Sequence, residues 1–297
     1  MDPINLQEMS ASELKKFLDS FDHVFSDCDG VLWTETTPLP GSGDFIKLMR
    51  RLGKTVNFVS NNSIRTRQNY EDLFRETDIE AGYENLSVPS VAIAEFLKSK
   101  NSNKTVYCVS CPETIKVLQA NGFKCKYGPD VGADSYTEYV HYLDDDEEIG
   151  AVVFDCDFRV NMPKMYKAIT YLKRPDVLFI NGASDKTVSL KPGSMIFSIG
   201  VFTEIVASEA KRQPLGLGKP GKMFGDFAMK RAGVTNVSRV LFIGDTIEQD
   251  IGLGRACGFH TLLVLTNVSK EKMMAHPTTK PEYYAQSLES LVPLLSQ

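Results

Sequence analysis

Two carboxylates stand one residue apart in Asp27-Cys28-Asp29-Gly30-Val31-Leu32-Trp33, directly after the apolar pair Val24-Phe25. A polar pair at the C-terminal end of a strand lies where open α/β sheets carry out chemistry. Asp27 offers a nucleophilic carboxylate that can form an aspartyl-phosphate, and Asp29 can protonate a leaving oxygen and then deprotonate an attacking water. The two together also suit a hard cation. The competing reading of the same residues is capping of a turn or helix by Asp.

Three later segments fit the same reaction. Val56-Asn57-Phe58-Val59 delivers Ser60-Asn61-Asn62-Ser63 to a second strand end. Its hydroxyl, amide and backbone N–H donors can hold phosphoryl oxygens, and they equally suit the N-cap of a helix expected over 64–76. Gly216-Leu217-Gly218-Lys219-Pro220 places Lys219 as a fixed cation over a phosphate, or simply as a solvated lysine. It is not a Walker loop, because only Leu217 separates the glycines and Pro follows the Lys. Val240-Leu241-Phe242-Ile243-Gly244-Asp245 ends a third strand in an acid, with Asp250 five residues on. Asp245 is a natural further carboxylate for Mg²⁺, which prefers octahedral oxygen ligands, and Asp250 can bind directly or support the site from behind. Phosphate monoester hydrolysis needs up to ~10²¹-fold acceleration, so a nucleophile and charge stabilisation are both required.

The elements that must position these residues alternate. Short runs rich in Val, Ile and Phe, ending with Val152-Val153-Phe154, Val177–Ile180, Val240–Ile243 and Leu262–Leu265, are separated by helical patterns over 12–19, 43–52, 64–76, 90–99, 112–121, 162–173, 194–208 and 221–232. This predicts an α/β fold of parallel sheets covered by helices. The chemical motifs fall within 1–99 and 211–297, a Rossmann-like core, while 100–210 reads as an inserted α/β domain. Pro220 is placed for the first turn of a helix.

A net charge of −5 and scattered Lys and Arg give no general attraction to nucleic acid or anionic membrane. No apolar run approaches the roughly 18 residues of a membrane helix, and the expected location is soluble and cytoplasmic. Six Cys without regular spacing read as reduced thiols, Cys108-Val109-Ser110-Cys111 as core packing, and Asp144–Glu148 as a solvated loop.

The four motifs in this order resemble the haloacid dehalogenase superfamily of phosphohydrolases. DCDGVLW, SNNS, GKP and GDxxxxDI, with Leu265-Thr266-Asn267-Val268, look most like its eukaryotic para-nitrophenylphosphatase group, which includes phosphoglycolate and pyridoxal phosphatases. The resemblance implies a Rossmann-like core, a large α/β cap between the second and third motifs, Mg²⁺ dependence and often a homodimer formed through the caps. It assigns metal contacts to Asp27, to Asp29 through its backbone carbonyl and to Asp245, and phosphate contacts to Ser60, Asn61, Asn62 and Lys219. In the cap, Asp157 of Phe154-Asp155-Cys156-Asp157-Phe158 stands where the group usually carries a substrate-contacting His, which makes Asp157 a candidate substrate contact. Glu35 replaces a common Gly, Gln249 a usual Thr, and the segment ending at Asp185 is altered. The expected activity is Mg²⁺-dependent hydrolysis of a small phosphorylated metabolite, of the phosphoglycolate or pyridoxal phosphate kind. A phosphoprotein phosphatase of the same mechanism and a non-catalytic binding protein of the same fold are the alternatives. A nicotinamide enzyme would show GxGxxG after its first strand, and DCDG stands there instead.

Overall fold

The computed structural model describes residues 2–101, 103–132, 134–191 and 194–296. The strands are, in chain order, β1 (Ile4–Asn5), β2 (His23–Ser26), β3 (Trp33–Thr34), β4 (Thr37–Pro38), β5 (Thr55–Val59) and β6 (Leu86–Ser87). There follow β7 (Thr105–Val109), β8 (Cys125–Tyr127), β9 (Ile149–Phe154), β10 (Leu178–Asn181), β11 (Thr187–Lys191), β12 (Ser194–Phe197) and β13 (Leu215–Gly216). The last are β14 (Val240–Gly244), β15 (His260–Val264) and β16 (Tyr283–Ala285).

The chain divides into two compact units, one made of Met1–Ser60, Arg65–Ser87 and Lys219–Gln297, the other of Asn61–Ile64 and Val88–Gly218. The first unit holds a seven-stranded parallel sheet in the order β1-β16-β15-β14-β2-β5-β6. Its central strands are buried along their length, as in Val240–Gly244, which is why they read as continuous apolar runs. Aromatic rings fill the space around them: Phe58, Phe74 and Trp33 meet in sequence, and Phe25 meets Phe259 edge-on.

The second unit holds a five-stranded parallel sheet, β13-β10-β9-β7-β8, and an antiparallel hairpin, β11–β12. All six residues of β9 are buried, and Phe154, Phe179, Tyr107 and Tyr171 form its core. Cys108 lies buried in β7, Cys111 just ahead of helix Pro112–Ala120, and the six cysteines are unpaired thiols. Asp144–Glu148 is a loop, and no described helix is long and apolar enough to cross a membrane.

Two sequence expectations change. The helix expected over 194–208 begins only at Ile199, because Ser194–Phe197 alternates in exposure and pairs with Thr187–Lys191 as a strand. The units divide after Ser87 and Gly218, not at 99 and 210. Helix Pro89–Ser99 packs on helix Pro112–Ala120, and Leu215–Gly216 adds to the edge of the second sheet beside β10, so both flanks belong with that sheet.

Asn61–Ile64 is tied into the second unit by hydrogen bonds. Ser90 N–H donates to Ser63 Oγ at 3.3 Å, and Cys111 Sγ donates to Ser63 O at 3.4 Å. Beneath them lies Asp155, fully buried, accepting from Thr114 Oγ1 at 2.8 Å and from the Ala183 N–H at 3.0 Å, with the Ser63 hydroxyl bonded to it as well. Burial pushes its carboxyl above the ordinary value, and the donors oppose that shift. Asp155→Ala leaves these donors without an acceptor and is expected to destabilise the protein by about 2–4 kcal/mol. Equilibrium urea unfolding checks this, and a variant within about 0.5 kcal/mol of the parent would show that Asp155 is not an anchor.

Candidate active site

The chain leaves β2 for β5 on one side and later fills β14 and β15 on the other, so the strand order reverses beside β2. The carboxyl ends of strands at such a reversal open a crevice. Asp27 follows β2 and Asp245 follows β14, and the Asp27 N–H donates to Ile243 O at 2.8 Å, fixing the two ends side by side. Gly30 has φ +81°, and a Cβ there would lie 2.0 Å from Asp245 Oδ2. Only glycine lets the turn after Asp29 close over Asp245.

Lys219 lies between two of these carboxylates. Its Nζ is 2.8 Å from Asp27 Oδ1 and 2.7 Å from Asp250 Oδ1, and the residue is 2 % exposed. Asp250 is fully buried, and its other oxygen accepts from Asp245 N–H at 3.1 Å, Thr246 N–H at 2.9 Å and Thr246 Oγ1 at 2.6 Å. A π-helical turn over Ile247–Ile251 brings it back there, with Ile251 N–H reaching Thr246 O. Gly244 gives it room, since a Cβ at that position would lie 2.1 Å from Asp250 Cβ. Of the two roles sequence leaves open for Asp250, the hydrogen bonds favour support: both oxygens are engaged, one by Lys219 and one by the loop.

Burial alone would lower the Lys219 pKa, but the charges of Asp250 and Asp27 outweigh it and hold the ammonium above its ordinary range. Burial, then Asp250, pushes Asp27 up despite the lysine, and burial with Asp250 and Asp27 does the same to Asp245. The ion pair with Lys219 would by itself lower Asp27; the opposite direction wins because burial, with the charge of Asp250 added, outweighs the lysine. Oxygens of Asp27, Asp245 and Asp250 lie within 4.8 Å of one another. Asp245 Oδ1 is buried and accepts no hydrogen bond among the described residues. A surplus of buried negative charge with an orphaned oxygen fits a hard divalent cation.

Asp29 lies in the same loop and points to a partner that sequence reasoning missed. Arg65 Nη1 reaches both Asp29 oxygens at 2.6 Å, and Arg65 Nη2 bonds to Glu35 O. The only sequence signal was a cation two residues after the SNNS motif. Ser60 follows β5 in the first unit, where its hydroxyl accepts from Tyr70 OH at 3.1 Å. The cap of the following helix is Thr66, bonded reciprocally with Asn69, so SNNS is not that helix's N-cap. Asn61 and Asn62 belong to the second unit, where Asn61 Nδ2 donates to Asp185 Oδ2 at 3.0 Å and Asn62 Oδ1 accepts from Ile64 N–H at 3.1 Å. Pro220 precedes the Gly221 N-cap of helix Lys222–Ala232 and does not start it.

Asp157, the candidate substrate contact in the cap, is engaged inside the second unit. Its side chain is 5 % exposed, one oxygen lies 2.8 Å from Lys164 Nζ and the other accepts from Arg159 N–H at 2.8 Å. Lys164 also meets Asp130 at 2.7 Å. Asp157 is thus paired within the second unit with a lysine that it shares with Asp130.

Comparisons with known proteins identify the family. Residues 24–124 match the haloacid dehalogenase-like hydrolase model, and residues 216–291 a second, HAD-hydrolase-like model. Phosphoglycolate phosphatase 2 of Arabidopsis thaliana is 31% identical over 97% of this chain and 98% of its own length. The 4-nitrophenylphosphatase of Schizosaccharomyces pombe is 32% identical over 95% of this chain and 97% of its own. The structure of p-nitrophenyl phosphatase from Archaeoglobus fulgidus superposes with a TM-score of 0.78 at 26% identity, covering 93% of this chain and 99% of that one. The chain belongs to the haloacid dehalogenase-like hydrolase family and is a phosphoric monoester hydrolase.

Proposed function

We propose that this chain hydrolyses a small phosphorylated metabolite with Mg²⁺, through an aspartyl-phosphate formed on Asp27. The observation that carries the reading is a buried Asp27 just after β2, paired at 2.8 Å with Lys219 and grouped with Asp245, whose Oδ1 accepts no hydrogen bond among the described residues. A metabolite of the phosphoglycolate kind, the substrate in the name of the Arabidopsis relative, is the substrate class this reading favours.

In this reading an Asp27 oxygen attacks phosphorus in line with the departing group. Asp29 gives its proton to the leaving oxygen and then takes one from the water that cleaves the acyl-phosphate. Lys219 offsets charge on the phosphoryl oxygens from a buried position, and Asp250 holds it there. Ser60 supplies a neutral donor to the same oxygens. Asp27, Asp245 and the backbone carbonyl of Asp29 would hold Mg²⁺. Bound Mg²⁺ supplies positive charge that balances the surplus carboxylates and stabilises the phosphoryl group during transfer.

Asp27→Asn is expected to abolish turnover of 4-nitrophenyl phosphate while circular dichroism shows a folded protein, since an amide forms no aspartyl-phosphate; steady turnover by this variant would sink the assignment. Excess chelator should remove activity and Mg²⁺ restore it, with Ca²⁺ a poor replacement because its coordination is longer and looser. Full activity in chelator contradicts the metal site. Lys219→Met and Asp250→Ala should each lower kcat/KM by about 10²-fold, and the double variant should fall no further than the worse single one, because both remove the same positioned charge. Losses that multiply in the double variant would separate the two residues.

A further inference from the structure

We infer that Arg65 is a positioning residue that aims the Asp29 carboxyl group at the departing oxygen. The inference rests on the role proposed above for Asp29. One guanidinium nitrogen, Nη1, lies 2.6 Å from both Asp29 oxygens, while Nη2 bonds to the carbonyl of Glu35. The guanidinium carbon also sits 6.0 Å from the Trp33 ring centroid and 5.9 Å from that of Tyr70. Both rings are fully buried, and the Arg65 side chain is only 14 % exposed, so the cation is held from several directions. Asp29 differs: its side chain is 36 % exposed.

Glu35 contributes through its backbone. It lies between β3 and β4 with φ +52°, a left-handed conformation that a non-glycine residue adopts at a cost. Its carbonyl is the acceptor for Arg65 Nη2, so the hairpin that follows the DxD motif and the cation that grips the motif's second acid are joined.

Nη1 reaches both oxygens of the carboxyl group, so either oxygen can keep that contact. In its acid form Asp29 keeps one oxygen on Nη1 and carries the proton on the other. As the Asp27 oxygen bonds to phosphorus, the bond from phosphorus to the leaving oxygen breaks with its electron pair, and that oxygen takes the Asp29 proton. The resulting carboxylate regains both contacts with Nη1. Positioning of this kind matters in proportion to how much the leaving group needs a proton.

The test compares kcat/KM for phenyl phosphate, whose leaving group departs poorly as a phenolate, with 4-nitrophenyl phosphate, whose phenolate departs readily, in saturating Mg²⁺. Asp29→Asn should depress phenyl phosphate far more than 4-nitrophenyl phosphate. Arg65→Met should shift the ratio of the two in the same direction by about tenfold, a fraction of the 10²–10⁴ that general acids supply. Arg65→Lys, which keeps a cation but loses the fork that joins Asp29 to Glu35, should shift the ratio in the same direction by a smaller factor, about threefold, and it stands in if the methionine variant does not fold. Equal losses on both esters in the Arg65 variants overturn the inference, because a merely structural residue does not distinguish leaving groups. If Asp29→Asn discriminates and Arg65→Met does not, the role of Asp29 stands and that of Arg65 falls. If Asp29→Asn fails to discriminate, the proposed role of Asp29 falls and takes the inference with it.

Discussion

Charge surplus in a dry place is the constraint on which the rest of this protein depends. Asp27, Asp245 and Asp250 lie within 4.8 Å of one another with Lys219 as the cation paired to two of them. Burying an ion costs several kcal/mol even after relaxation, and that cost falls only when each charge is matched. A single lysine cannot match three carboxylates. The fold therefore keeps a centre that favours whatever brings positive charge, and the orphaned oxygen of Asp245 is where the imbalance is most visible. Such a surplus costs stability for as long as no further positive charge offsets it.

The backbone makes that crowding feasible. Two strands at a reversal of sheet order present their ends together, Gly30 and Gly244 remove the side chains that would collide with Asp245 and Asp250, and one π-helical turn aims Asp250 back at the strand it follows. The glycines in DCDG and in GDT are thus required by the clashes at 2.0 and 2.1 Å that a Cβ would make, and Gly30 by its positive φ as well.

Much of this was legible in the sequence because strand ends have a signature: an apolar run stopping at a polar residue. Val24-Phe25 before Asp27 and Val240–Ile243 before Asp245 both carry it, and both strands lie where the pattern put them. Lys219 was read as either solvated or functional, and its 2 % exposure decides against the solvated reading. What the sequence hid depends on distance in space. Asp250 saturates both its oxygens through a π-turn that has no periodic signal, and Arg65 is one charged residue in a polar stretch, conspicuous only once Trp33, Tyr70 and Asp29 surround it. The partner of Asp157 was hidden in the same way: Lys164, seven residues on, has the spacing of any helix lysine, whereas its side chain is 4 % exposed. Ser194–Phe197 deceived for a related reason: four residues are too few to separate the period of a strand from that of a helix.

The membership of Asn61–Ile64 in the second unit bears on how the chain can be cut. The polypeptide passes between the units four times, and the shortest excursion is these four residues, flanked by Ser60 and Arg65. A surgeon joining Ser87 to Lys219 would remove Ser90, Cys111 and Asp155, the partners that hold Ser63, while retaining the loop they hold. The segment between β5 and helix Arg67–Glu76 would then lose its tether. The larger unit is accordingly not a minimal enzyme with an accessory attached: part of its second motif is folded by the piece that such an excision discards.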